Sequence, residues 1–96
     1  MNTYIAGSLV RTIANFINSA GAAANPTNVT LKYRAGAGSV TTIPGPDNDG
    51  TGTYHWDIDT TGWDGPNNLL YTCQWTGTGA VQAIGIDYFE VEPPAL

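Results

Sequence analysis

Residues 69–76 read Leu-Leu-Tyr-Thr-Cys-Gln-Trp-Thr, and every second side chain from position 69 to position 75 is apolar or aromatic. A two-residue period is typical of a β-strand that buries one face, because successive side chains of a strand point to opposite sides. The stretch therefore predicts a strand whose inward side chains are Leu69, Tyr71, Cys73 and Trp75.

The same alternation returns in segments 28–34 and 53–59 and at the end of segment 82–92. In segment 10–17 the side that carries Phe16 is the better core face, although Ile13 and Ile17 lie on the other side. These patterns predict one shared apolar core. Its expected members are Val29, Leu31, Tyr33, Tyr54, Trp56, Leu69, Tyr71, Cys73, Trp75, Phe89 and Val91.

Turn residues separate these segments throughout the chain, which has 12 Gly and 6 Pro in 96 residues. Further short strands are expected at 4–9 and 40–43, whereas residues 44–52 and 60–68 are expected to be loops. No sustained helical period is present, so a parallel α/β fold is excluded. The sequence predicts a single domain over residues 1–96, an all-β, immunoglobulin-like antiparallel β-sandwich of about seven strands.

Charge restricts the possible partners. The net charge is −5, and the basic residues are Arg11, Lys32 and Arg34 alone. Because binding to phosphate backbones needs several clustered cations, neither a nucleic acid nor a membrane surface is expected as a direct partner. The chain starts without the pattern of a secretory signal and has one cysteine, so we expect folding in a bacterial cytoplasm without a disulfide.

Candidate chemical groups are few. His55 shares a predicted solvent face with Asp57 and Asp59, but no activated nucleophile accompanies it, so no catalytic residue is predicted. Cys73 is expected in the core. The segment Asp47-Asn48-Asp49-Gly50 resembles part of a calcium loop, yet position 58 is Ile, and a turn explains the same residues. We therefore expect no metal site and no cofactor.

Apolar side chains outside the predicted core are the candidates for binding. Ile13, Ile17, Ile84, Ile86 and Tyr88 fall on outward faces and form the candidate protein interface. The alternative is that twisted or bulged strands bring them into the core.

Trp63 lies in a Gly-rich loop. It is a candidate exposed anchor for a sugar ring or a protein, although capping of one end of the sandwich is the favoured interpretation.

Three stretches together resemble a known family. They are residues 51–59 (Thr-Gly-Thr-Tyr-His-Trp-Asp-Ile-Asp), residues 75–83 followed by Phe89-Glu90-Val91, and residues 25–31 (Asn-Pro-Thr-Asn-Val-Thr-Leu). In order and spacing they resemble small immunoglobulin-like proteins encoded among the virion structural genes of tailed bacteriophages and prophages. Tyr71 two residues before Cys73 also matches the tyrosine corner of immunoglobulin domains.

Two departures from that family stand out. Asn25 occupies the position where an Asp is expected before Pro26, and residues 84–88 are more apolar than usual, which hints that a partner covers the last strand. The resemblance implies no catalytic residues. It implies a bacteriophage virion structural protein that binds other virion proteins, as capsid decoration or as a head–tail connector or tail component, in many copies or as a homo-oligomer. A carbohydrate-binding or cell-surface adhesion module is the alternative, and an enzyme is not expected.

Overall fold

The computed structural model describes residues 1–94, which fold into eight β-strands and no helix. The strands are β1 (Asn2–Ile5), β2 (Leu9–Asn15), β3 (Asn28–Ala35), β4 (Thr41–Ile43), β5 (Asp47–Gly50), β6 (Thr53–Asp59), β7 (Leu69–Thr78) and β8 (Ala83–Glu92). The first strand lies earlier than the expected 4–9, because residues after Ile5 turn at Gly7, whose φ is 100°.

Two sheets form the sandwich. The five-stranded sheet has the order β1-β8-β7-β3-β4, and the three-stranded sheet has the order β2-β6-β5. Neighbouring strands are antiparallel except β1, which runs parallel to β8. In immunoglobulin domains strands B, E and D lie in one sheet, and strands C, F and G lie in the other. Strands β2, β6 and β5 correspond to B, E and D, and strands β3, β7 and β8 correspond to C, F and G. The all-β sandwich prediction is confirmed.

The count of about seven strands was low by one, because β5 lies inside the expected loop 44–52. All four β5 residues are exposed, so they carry none of the alternation that marks a half-buried strand. They pair with β6 through an irregular register between Asn48 and Gly50. An exposed edge strand of Asp, Asn and Gly has the composition of a turn, which explains the error.

The core agrees with the alternation. Of the expected core residues, eight are buried and Tyr33, Trp56 and Leu69 are partly buried against them. Phe16 is buried while Ile13 and Ile17 are exposed, as the preferred face of segment 10–17 required. Val81 is a further core residue that no pattern indicated, because it lies between β7 and β8.

A buried hydrogen bond links the two sheets inside the core. The indole N–H of Trp75 on β7 donates to the hydroxyl oxygen of Thr12 on β2 at 3.0 Å. Cys73 is buried in the same core, and burial raises the pKa of its thiol to about 11. Thr12 lies on β2 and Cys73 on β7, the strands that a disulfide joins in antibody domains.

Two of the stretches that carry the family resemblance meet at one end of the sandwich. The Thr27 N–H donates to the Thr78 carbonyl at 2.8 Å, and the Ala80 N–H donates to the Thr27 hydroxyl at 3.0 Å. Gly77 lies so close to Phe16 and Pro26 that a Cβ there would approach each within 2.8 Å. The Pro-Thr and Gly-Thr-Gly residues are therefore parts of one packed corner.

Asn25, which departs from the family pattern, joins two segments of the chain through its side chain. Its side-chain oxygen accepts a hydrogen bond from the Gly52 N–H at 2.6 Å. An Asp carboxylate would offer the same acceptor.

The tyrosine corner of immunoglobulin domains is matched less well at Tyr71. Within residues 1–94, the Tyr71 hydroxyl donates no hydrogen bond, and the ring instead stacks on Phe89 with centroids 4.7 Å apart.

Candidate functional site

Three apolar side chains project from the outer face of β8. Ile84, Ile86 and Tyr88 are 68, 50 and 48% exposed, and we call them the β8 stripe. The register of β8 against β7 runs without a shift from Ala83 to Val91. The alternative in which a bulge or twist brings these residues into the core is therefore excluded. Leu70, which is 40% exposed on β7, adds apolar surface to the same face.

Half of β8 is also an open sheet edge. β1 covers β8 only from Phe89 to Glu92, so residues 83–88 have no strand beside them within the described chain. The Ala6 N–H donates to the Glu92 carbonyl at 2.9 Å, which shows that Glu92 directs its backbone groups toward this edge. Because a strand alternates direction at each residue, Ile84 and Ile86 direct their N–H and C=O groups out of the edge as well.

Asp87 closes this edge at one end. Its side-chain oxygen accepts a hydrogen bond from the Tyr88 N–H at 2.9 Å, so the next outward-facing amide is already satisfied. The open edge therefore consists of the backbone groups of two residues, Ile84 and Ile86, which flank Gly85. Unpaired edge groups of this kind are a template for a further strand.

A groove runs between the open edge of β8 and β2, which is the edge strand of the other sheet. It has a volume of about 270 Å³, and its apolar lining includes Ile13, Phe16, Trp75, Ile84 and Ile86. The structure thus brings three of the predicted interface residues together at one edge. Tyr88 lies farther along the outer face, and Ile17 is separate, in an isolated bridge with Ala23 beyond the end of β2.

Two cations share the outer face with the β8 stripe. Lys32 pairs with Gln74, which pairs with Ile86, and Arg34 is related in the same way to Tyr88 through Thr72. Among residues 1–94 neither cation forms a salt bridge, whereas Arg11 on the other sheet binds Asp57 at 2.8 Å. An apolar column and a basic column therefore lie two strands apart, about 10 Å, on one face.

The surroundings of His55 differ from the expectation. Asp49 hydrogen-bonds its Nδ1, and Asp47 lies 3.5 Å from its Nε2. The expected neighbours are engaged elsewhere. Arg11 lowers the pKa of Asp57 chiefly through a hydrogen bond, and hydrogen bonds from Thr61 lower the pKa of Asp59. The sequence placed Asp57 and Asp59 on the face of His55 but gave no sign of Asp47 and Asp49 beside it, because these belong to β5, the strand that was expected to be a loop.

This cluster does not complete a reactive or metal-binding arrangement. In the part of the chain that the structure describes, no hydroxyl or thiol hydrogen-bonds to His55, and no group of three or more His, Cys, Asp or Glu side chains has the geometry to hold a metal ion. The calcium-like segment 47–50 is the strand β5. Its Asn48 side chain donates to the Gly50 carbonyl at 2.8 Å, which is a contact within the segment itself.

Trp63 folds back onto its own loop. Its indole N–H donates to the Asn67 carbonyl at 2.8 Å, and a Cβ at Gly65 would lie 2.4 Å from the ring. The side chain is partly buried and packs against the core. The ring therefore lies against the core, and one of its faces is covered by the backbone at Gly65.

Comparisons of the chain with protein-family models, with curated proteins and with solved structures give no match. Over residues 1–94 there is no helix with the length and apolar character needed to cross a membrane.

Proposed function

We propose that this chain is a non-enzymatic, protein-binding module of a bacteriophage virion, acting as capsid decoration or as a head–tail or tail component. The observation that carries the proposal is the β8 stripe, a row of large apolar side chains on the outer face of a strand that β1 covers only in part. A stripe of this kind promotes aggregation unless a partner covers it. In this proposal another virion protein covers the stripe, and the stripe is the binding surface for that protein.

The side chains on the outer face indicate which kind of surface the partner presents. Burying an exposed Ile or Tyr side chain contributes about 1.5–3 kcal/mol at full burial, so the stripe supplies the apolar centre of an interface. Lys32 and Arg34 supply charge two strands away. The matching surface on the partner is an apolar patch with carboxylates about 10 Å from it.

The virion assignment is supported by the resemblance, and the structure adds the corner in which residues 25–31 meet residues 75–80. The carbohydrate-binding alternative depended on Trp63 and on the many Tyr and Asn residues of the chain. A ring covered on one face by Gly65 and tied to Asn67 leaves at most its other face for a sugar.

The test is incorporation into particles. We expect the protein in purified particles by mass spectrometry, and we expect the variant Ile84→Ser/Tyr88→Lys to fold normally yet be missing from them. A matched control makes the same two kinds of change away from the outer face of β8, in Leu9→Ser/Ile17→Lys. Leu9 on β2 and Ile17 just beyond β2 are 67 and 60% exposed. The control should join particles as the wild-type protein does.

Two results would contradict the proposal. Absence of the wild-type protein from the particles would remove the virion role. Normal incorporation of Ile84→Ser/Tyr88→Lys would remove the role of the β8 stripe.

A further inference from the structure

We propose that two copies of this chain pair through the open edges of β8, antiparallel about a two-fold axis at Gly85. The two five-stranded sheets then become one ten-stranded sheet. The inference rests on the proposed function, since it assigns a second copy as the first partner of the same β8 surface.

The backbone groups of the edge are self-complementary. In antiparallel pairing, two opposed residues of a hydrogen-bonded pair exchange both of their N–H···O=C bonds. A two-fold axis at Gly85 sets Ile84 opposite Ile86 of the second copy, and Ile86 opposite its Ile84. The two pairs form four hydrogen bonds. All the N–H and C=O groups that Ile84 and Ile86 direct out of the edge are then satisfied.

The two ends of the open edge limit pairing to this register. On one side the Tyr88 amide is satisfied by Asp87, and β1 occupies the edge from Phe89 onward. On the other side β8 begins at Ala83. A shift by two residues in one direction would set Ile86 opposite residue 82, which precedes β8, and a shift in the other direction would bring the second copy against Asp87 and β1.

Gly85 suits the centre of this contact. It would face its own copy as a non-hydrogen-bonded pair, in which the Cα atoms approach to about 4.5 Å. Apart from its two chain neighbours, no residue among 1–94 places an atom within 4 Å of the Cβ position of Gly85, so the backbone is accessible on that side. The closest approach of the two chains therefore meets no side chain.

Side chains and charges are compatible with the same pairing. Each Ile84 packs beside Ile86 of the second copy on the outer face, as apolar cross-strand neighbours do. The two Asp87 residues lie four residues apart along the paired strands, about 13 Å. This distance exceeds the screening length of about 8 Å at physiological salt, so their repulsion is weak. The dimer presents both β8 stripes to a virion partner as one continuous patch.

Cross-linking tests the register directly. A Cα separation of about 4.5 Å falls within the range for a disulfide, so Gly85→Cys should form a disulfide-linked dimer when oxidised glutathione accepts the two electrons and protons from the paired thiols. Ala83→Cys is the matched control on the same face of the same strand. Its two thiols would be about 13 Å apart and should not cross-link. The native Cys73 is fully buried and stays reduced in both variants.

The edge hydrogen bonds are tested with Ile86→Pro. The Ile86 N–H points out of the sheet, so proline at this edge position is compatible with the fold, but it removes two of the four intermolecular bonds. Sedimentation equilibrium should show a dimer dissociation constant raised by about 30-fold or more. Ile86→Ala keeps the N–H and should weaken the dimer less. Unchanged melting of Ile86→Pro at low concentration, where the protein is monomeric, verifies its fold.

The outcomes separate this inference from the proposed function. A wild-type protein that remains monomeric at about 1 mM, or cross-linking of Ala83→Cys in place of Gly85→Cys, would overturn the β8 dimer even if the protein joins particles. A dimer with the expected cross-link in a protein that is missing from particles would support the dimer and contradict the virion role.

Discussion

Replacing Thr12 by Val tests the buried hydrogen bond between the two sheets. Thr12 is 1% exposed and Trp75 is 2% exposed, so the indole N–H that now donates to the Thr12 hydroxyl would find neither a protein acceptor nor water. An unsatisfied buried donor costs about 1–3 kcal/mol, and the exchange of a hydroxyl for a methyl group changes little volume. We expect a loss of about 2 kcal/mol in the free energy of unfolding.

For a domain of this size, such a loss corresponds to a melting temperature lower by about 8–16 °C. Urea denaturation followed by far-ultraviolet circular dichroism measures the free energy. A double-mutant cycle with Trp75→Phe isolates the hydrogen bond from the loss of packing, because Phe has no N–H. Thr12→Val should cost at least about 1 kcal/mol less in the Trp75→Phe background. Equal costs in the two backgrounds, or a Thr12→Val protein as stable as the wild type, would refute the reasoning.

Three further predictions follow from packing, charge and the acidic segment. Gly77→Ala places a methyl group against the rings of Phe16 and Pro26 and should cost about 1–3 kcal/mol by urea denaturation. Gly45→Ala is the control and should cost less, because its methyl group would meet no atom within 4 Å in the described chain beyond its immediate neighbours. Because Arg11 lowers the pKa of Asp57 from 3.8, this pair contributes stability above that pH and loses it as the pH falls through the lowered value. Arg11→Met should raise the pKa of Asp57 in an NMR titration, and an unchanged value would contradict the pairing. Calcium should leave the melting temperature unchanged, and a calcium-specific rise absent with magnesium would assign segment 47–50 a binding role.

The sequence was informative wherever burial imposes a period. Strands β3, β6 and β7 each bury one face against the other sheet, so their apolar side chains alternate and their boundaries are close to the prediction. Strand β5 is exposed along its whole length, so selection for a core leaves no pattern in it. Because segment 47–50 was expected to be a loop, Asp47 and Asp49 were not expected beside His55, although the sequence did show them as a pair of nearby acidic residues.

The candidate surface was predictable in part. The outward direction of Ile84, Ile86 and Tyr88 follows from their position relative to Phe89, because every second residue of a strand faces the same way. The open edge follows from how far β1 extends along β8, and a parallel pairing between the two ends of the chain has no local signal. The position of Lys32 and Arg34 on the same face as the β8 stripe likewise follows from the pairing of β3 with β7, which has no local signal in the sequence.

The parallel pairing of β1 with β8 has a mechanical consequence. Asn2 lies beside Phe89, and Ile5 lies beside Glu92, so a pull on Asn2 opposed by a pull on Glu92 slides the two strands past each other lengthwise. The hydrogen bonds between them are then loaded in shear, all at once, and do not open one after another as in a peeled hairpin. Resistance to forced unfolding depends on the rate of crossing the unfolding barrier. A module stretched between its two ends would therefore yield only when the whole β1 ladder breaks together.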